Sequence, residues 1–98
     1  MIKEIFLRSK MLGLMQNKQL LVSSIIDFAG KNYGDVEIIS MIHKTEKHVY
    51  NYSSATNRIK KLISALKNIG LKKGDRVATL AWNDHRHFEL YYAISSMG

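Results

Sequence analysis

A chain of 98 residues is enough for one small domain. It contains no cysteine, which excludes a disulfide framework, a thiolate metal site and a cysteine nucleophile. An apolar fraction of 46% excludes a disordered tail, and 15 Lys and Arg against 8 Asp and Glu give a formal charge of +7 that raises the question of an anionic partner.

The first stretch, Met1 to Leu14, mixes Lys3, Arg8 and Lys10 with Ile5, Phe6, Leu7, Met11, Leu12 and Leu14. It has no compact apolar core of the signal-peptide kind, and nowhere does the chain approach the run of about 20 apolar residues that a membrane span needs. Residues 1–19 therefore read as an N-terminal arm packing on its own protein, residues 20–98 as an α/β subdomain, and cytoplasmic location is expected. Leu20 to Tyr33 reads as a helix with Leu21, Ile25, Phe28 and Ala29 on one face and Gly34 as its stop. Val36 to Ile42 is rich in β-branched residues and reads as a strand. Thr45-Glu46-Lys47 turns it back into His48-Val49-Tyr50, forming a hairpin.

The strongest periodicity follows. Ala55, Ile59, Leu62, Ile63, Leu66 and Ile69 repeat at helical spacing, with Arg58, Lys60, Lys61, Ser64, Lys67 and Asn68 on the other side. Asn51 can cap the first turn and Gly70 supplies a left-handed residue after the last, so residues 52–69 form a helix. Leu71 to Asp75 is a turn. Arg76 to Trp82 reads as a short strand, whose continuous apolar run fits burial on both faces in a parallel sheet. Hairpin, helix and strand would then make a right-handed crossover. Asn83 or Asp84 caps a last helix from about Arg86 to Met97. Phe88, Leu90, Tyr91, Tyr92, Ala93, Ile94 and Met97 point nearly all round it, as in a helix buried on every side. The other elements cannot enclose it, so the chain reads as part of a larger body, with the alternation unfinished at Gly98.

Gly70-Leu71-Lys72-Lys73-Gly74-Asp75-Arg76-Val77-Ala78 resembles the "G-hydrophobic-x-x-G-D-R-V-A" turn of the adenylate-forming superfamily, which holds acyl-CoA synthetases, luciferases and peptide-synthetase adenylation domains. Tyr50-Asn51-Tyr52 is similar to that family's "(Thr/Ser)-Tyr-x-Glu-Leu" opening motif. Asn83, Glu89-Leu90-Tyr91-Tyr92-Ala93 and Met97-Gly98 are similar to its next helix and the start of its second motif. Met11 to Gln16, Leu20 to Ile26, Gly34-Asp35, Glu37 to Ser40 and Ala78 to Asn83 resemble the leader of the medium- and long-chain fatty acyl-CoA synthetase branch, so the likeness runs from about Met11 to Gly98. Two positions depart from the pattern. Ser54 stands where a reciprocal capping box has Glu, and Ser95-Ser96 where many relatives carry Gly, Lys or Ala.

The resemblance implies a partial N-terminal subdomain of the synthetase fold: helix, β-hairpin, helix, parallel strand, helix. It implies two-step activation of a fatty acid. The carboxylate attacks the α-phosphate of ATP with Mg²⁺ to give acyl-adenylate and pyrophosphate, and CoA thiol then displaces AMP. The family's phosphate loop, its adenine and ribose contacts and its catalytic lysine lie downstream of this segment. Neither Gly70 nor Gly74 opens a helix followed by Lys and Ser or Thr, as a Walker loop requires. No catalytic, cofactor-binding or metal-binding residue is therefore assigned within 1–98. The segment alone is expected to be inactive, and to self-associate or to need the rest of the synthetase.

Other constellations read as structural. His85-Arg86-His87, with His43 and His48, offers no metal spacing and suits cap and surface roles. Asp75 beside Arg76 reads as a turn residue making a strand-entry ion pair or a backbone contact. Ser23, Ser24, Ser53 and Ser54 have no His–carboxylate relay at useful spacing. Lys60, Lys61, Lys67, Lys72 and Lys73 read as a solvated face. A stand-alone basic module binding nucleic acid or a protein is the alternative function, without specific nucleic-acid recognition expected.

Overall fold

A computed structural model describes residues 13–98 of the chain. The first twelve residues of the N-terminal arm expected over residues 1–19 lie outside the described residues. Three helices and one hairpin follow one another: α1 (Val22–Asn32), β1 (Glu37–His43), β2 (Glu46–Asn51), α2 (Tyr52–Asn68) and α3 (His85–Ser96). α1 starts without a side-chain cap, and its first turn is closed by Ser24 N–H donating to the Leu21 carbonyl at 3.0 Å. Gly34 follows its end at negative φ. Its role is close approach, since a Cβ there would lie 3.0 Å from the Gly30 carbonyl oxygen.

β1 and β2 pair antiparallel, with Ile38 opposite Tyr50 and Ser40 opposite His48. The turn is Lys44-Thr45, one residue earlier than expected, and Ile42 drops out of register beside it. Among the described residues no non-glycine residue has positive φ, so the turn is not of the mirror-image kind that matches strand twist, and the bulge takes up the mismatch. Side chains alternate: Ile38, Ser40, Ile42, His48 and Tyr50 turn towards the helices, while Ile39, Met41 and Val49 face outward and are exposed.

α2 begins where the ladder ends, and carbonyls of the segment just before β1 satisfy its first donors. Tyr52 N–H donates to Val36 O and Ser53 N–H to Gly34 O, both at 3.1 Å. Ser54 N–H donates to Asn51 Oδ1 at 2.8 Å, the cap read from sequence. At the other end Gly70 N–H reaches Lys67 O at 3.0 Å and Leu71 N–H reaches Leu66 O at 3.1 Å. With Gly70 at φ +103°, this is a complete Schellman stop. A turn over Lys72 to Asp75 follows, with Gly74 at φ +90°. Asp75 makes a backbone contact, its Oδ2 accepting from Lys72 N–H at 2.8 Å.

The three helices pack on one another around Ile26, Ile59 and Ala93, with Tyr52, Leu62, Ile63, Leu66, Phe88 and Tyr92 at the margin. α1 and α2 approach closely because Gly30 has no side chain: a Cβ there would meet Thr56 Oγ1 at 2.5 Å.

Three expectations are corrected. α1 buries Ile26, whereas Leu21, Ile25 and Phe28 of its expected apolar face are exposed. Arg76 to Trp82 forms no ladder, so the parallel strand and the crossover are not made. A strand needs a neighbour for its N–H and C=O groups, and among the described residues the hairpin's two strands pair only with each other. The last helix is not buried on all sides either. Its inner row is His85, Glu89 and Ala93, while Tyr91 is exposed. The aromatic residues flank that row, and the polar ones occupy its centre.

Candidate functional site

The described residues hold one cluster of buried, chemically capable groups, where β2, α2 and α3 meet. Three elements build it. Strand alternation turns His48 and Tyr50 of β2 inward. Arg58 lies nearly two turns into α2. Asp84 starts α3 by accepting on Oδ1 from Arg86 N–H at 2.9 Å and His87 N–H at 3.2 Å, which fixes His85 and Glu89 on the inner side. Those two N–H groups, His87 first, hold the Asp84 carboxyl below the usual aspartate range.

Glu89 is 5% exposed, and its carboxylate is met from two sides. Arg58 donates through Nε to Oε1 at 2.6 Å and through Nη2 to Oε2 at 3.3 Å, a two-pronged contact. Tyr50 donates its hydroxyl to Oε1 at 3.1 Å. The Arg58 side chain is half in solvent, so the pair joins a buried anion to a hydrated cation. Hydrogen bonding to Glu89 strengthens the hold of Arg58 on its proton. Burial first, then the adjacent Glu89 charge, push the Tyr50 phenol well above the ordinary tyrosine range. The trio is a cross-link between β2, α2 and α3.

Beside it the His48 and His85 rings stack at 3.6 Å, with their planes 10° apart, and Tyr50 meets the His48 ring edge-on at 4.8 Å. His85 is 5% exposed. Burial, then the His48 ring, lower its proton affinity. The surface role read for His48 and His85 is therefore corrected: the ring at the first turn of α3 is turned inward onto the strand. His87 stays on the outer side with Nε2 3.2 Å from Thr79 Oγ1, and His43 is exposed at the hairpin tip. Among the described residues no three His, Asp or Glu side chains gather as a metal cage. Lys60, Lys61, Lys67, Lys72 and Lys73 are exposed.

Gly70 sits at the carbonyl end of α2, where the helix dipole repels phosphate, and the Gly74 N–H is taken by the Gly98 carbonyl at 2.8 Å. Sequence reasoning missed the Tyr50–Arg58–Glu89 trio. Its one local signal was a lone acidic residue set between Phe88 and Leu90 in an aromatic helix.

A family model described as "AMP-binding enzyme" matches residues 27–98. The chain is 41% identical over 88 residues to a 3-methylmercaptopropionyl-CoA ligase of Ruegeria lacuscaerulensis, and 40% identical over 88 residues to a medium-chain-fatty-acid–CoA ligase of Ectopseudomonas oleovorans. It is 34% identical over 84 residues to a long-chain-fatty-acid–CoA ligase of Thermus thermophilus. These alignments take in 86–90% of this chain and 16% of each relative, so the chain spans about a sixth of the length of the curated relatives it matches. The matched region begins within α1 and takes in the hairpin, α2, the Gly70–Ala78 turn and α3, and over that span the chain belongs to the AMP-binding enzyme family.

Proposed function

We propose that this chain serves as the N-terminal structural part of an ATP-dependent, cytoplasmic fatty acyl-CoA synthetase. That enzyme joins a fatty acid to CoA, with ATP and Mg²⁺ consumed through an acyl-adenylate and with AMP and pyrophosphate released. Residues 20–98 form its first α/β subdomain and residues 1–19 an arm leading into it. No side chain of residues 1–98 takes part in the chemistry; the reacting groups come from elsewhere in the synthetase. The observation that carries this reading is the likeness to CoA ligases over nearly the whole chain. The unladdered apolar run over residues 76–82 supports it, because that run is built to be covered on both faces.

The test is a graft. The 88 matched residues of the Ectopseudomonas ligase are replaced by their counterparts here, and acyl-CoA formation and pyrophosphate release are measured. We expect the graft to be active and the 98-residue chain alone to be at background. Turnover by the chain alone, or a soluble, folded graft without activity, overturns the reading.

A further inference from the structure

The His48–His85 stack lies edge-on against Tyr50 of the trio, and its own chemistry points elsewhere. Both Nδ1 atoms are buried without a hydrogen-bond partner. A bare ring nitrogen is less costly to bury unpaired than an N–H, so the proton of each neutral ring is assigned to Nε2. Nδ1 is then where a second proton would go, and it would make a buried donor with no acceptor. The stack cannot hold a metal instead. Ring lone pairs lie in the ring planes, and two planes 3.6 Å apart and 10° from parallel do not converge on one ion.

The groups around His85 settle which way a proton acts. From β2 comes the His48 ring, with Tyr50 edge-on at 6.0 Å. From its own helix come Arg86, which opposes a positive charge, and the carboxylates of Asp84 and Glu89, which favour one. Both carboxylates are already engaged, Asp84 by two backbone N–H groups and Glu89 by Arg58 of α2 and Tyr50. β1 faces the pair with Ser40, the neutral partner of His48 in the ladder. α1 meets α3 two turns away, at Ala93. His85 also opens α3, where the positive end of the helix dipole disfavours imidazolium.

We propose that the His48–His85 stack is a proton-sensitive latch, holding the hairpin to the first turn of α3 while the His85 ring is neutral and letting go when it is protonated. The contact is whole above about pH 6.5, the midpoint of an ordinary histidine, and weakens as pH falls below it, because the unfolded chain then takes up a proton that the buried His85 ring refuses. This holds whether or not the synthetase reading is correct.

The experiment is a histidine-ring NMR titration of the 98-residue chain from about pH 8 to pH 5, native and in urea, with melting curves of the same chain and of His85→Phe, which keeps a flat ring without the proton. We expect the His85 ring to titrate below its midpoint in urea. The melting temperature of the unsubstituted chain should fall on acidification, and that of His85→Phe should fall less. A His85 ring titrating at or above its urea midpoint overturns the latch, and so does a folded His85→Phe chain with the full acid loss. If His85→Phe does not fold, the ring titration alone decides.

Discussion

The junction of β2, α2 and α3 and the run from Arg76 to Trp82 stand in inverse relation to their composition. The junction buries a carboxylate, with Glu89 at 5% exposure, whereas the run leaves the chain's one tryptophan 90% exposed. Each follows from its partners. Glu89 finds three donated hydrogen bonds within reach, so leaving water costs it little. Leu80 and Trp82 find no such cover among the described residues, and the 76–82 run pairs with no strand there. Apolarity tells what a segment requires of its surroundings, and burial follows only where those surroundings exist.

The comparison breaks hardest at Arg58. Arg58→Ala leaves the Glu89 carboxylate buried with Tyr50 alone, at an expected cost of about 2 to 3 kcal/mol; that is less than a fully buried pair because Arg58 is half hydrated. The paired change Arg58→Met with Glu89→Leu is expected to recover most of that loss in urea denaturation. Equal losses for the single and double variants would show that the trio is not a cross-link. Gly30→Ala tests the apolar side of the same body. Its Cβ would collide with Thr56 Oγ1, and about 1 to 2 kcal/mol is expected, partly restored by adding Thr56→Ala.

Asp84→Ala is expected to lower the urea midpoint at neutral pH. The Asp84 carboxyl is held below its ordinary range, so its contribution is present above that range and fades as pH falls through it. The difference between variant and parent should close in acid. The smallest effect belongs to the exposed run. Leu80→Ser with Trp82→Ser is expected to change stability by no more than about 0.5 kcal/mol, while reducing self-association in sedimentation. A large loss of stability there would place the run inside the core.

Much of the local structure was legible in the sequence. The periodicity of Ala55 to Leu66, the cap at Asn51 and the stop at Gly70 delimit α2 to within a residue, because each acts through near neighbours in the chain. α1 falls inside its expected bounds, and the hairpin's turn shifts by one residue. What was not legible depends on distant partners. Glu89 meets Arg58 across 31 residues and Tyr50 across 39, and no spacing rule links them. The inner row of α3 was misjudged for the same reason: apolar residues from Phe88 to Met97 pointing nearly all round suggested burial on every side, whereas the strand and helix opposite select His85, Glu89 and Ala93. The strand over residues 76–82 was read from a pattern that states a need, and a neighbour cannot be deduced from the run itself.

The long separation across the trio also orders events in time. The hairpin and the start of α2 draw on contacts between residues close in sequence, and these close quickly once that stretch has left the ribosome. Arg58 and Tyr50 precede Glu89 in synthesis by 31 and 39 residues. At a synthesis rate of about 5 to 20 residues per second, these two donors wait seconds for their acceptor to be made. Arrival of α3 both fills the site and draws the 76–82 run with it, so the step that closes the trio is also the one that sets out the apolar segment for whatever is to cover it.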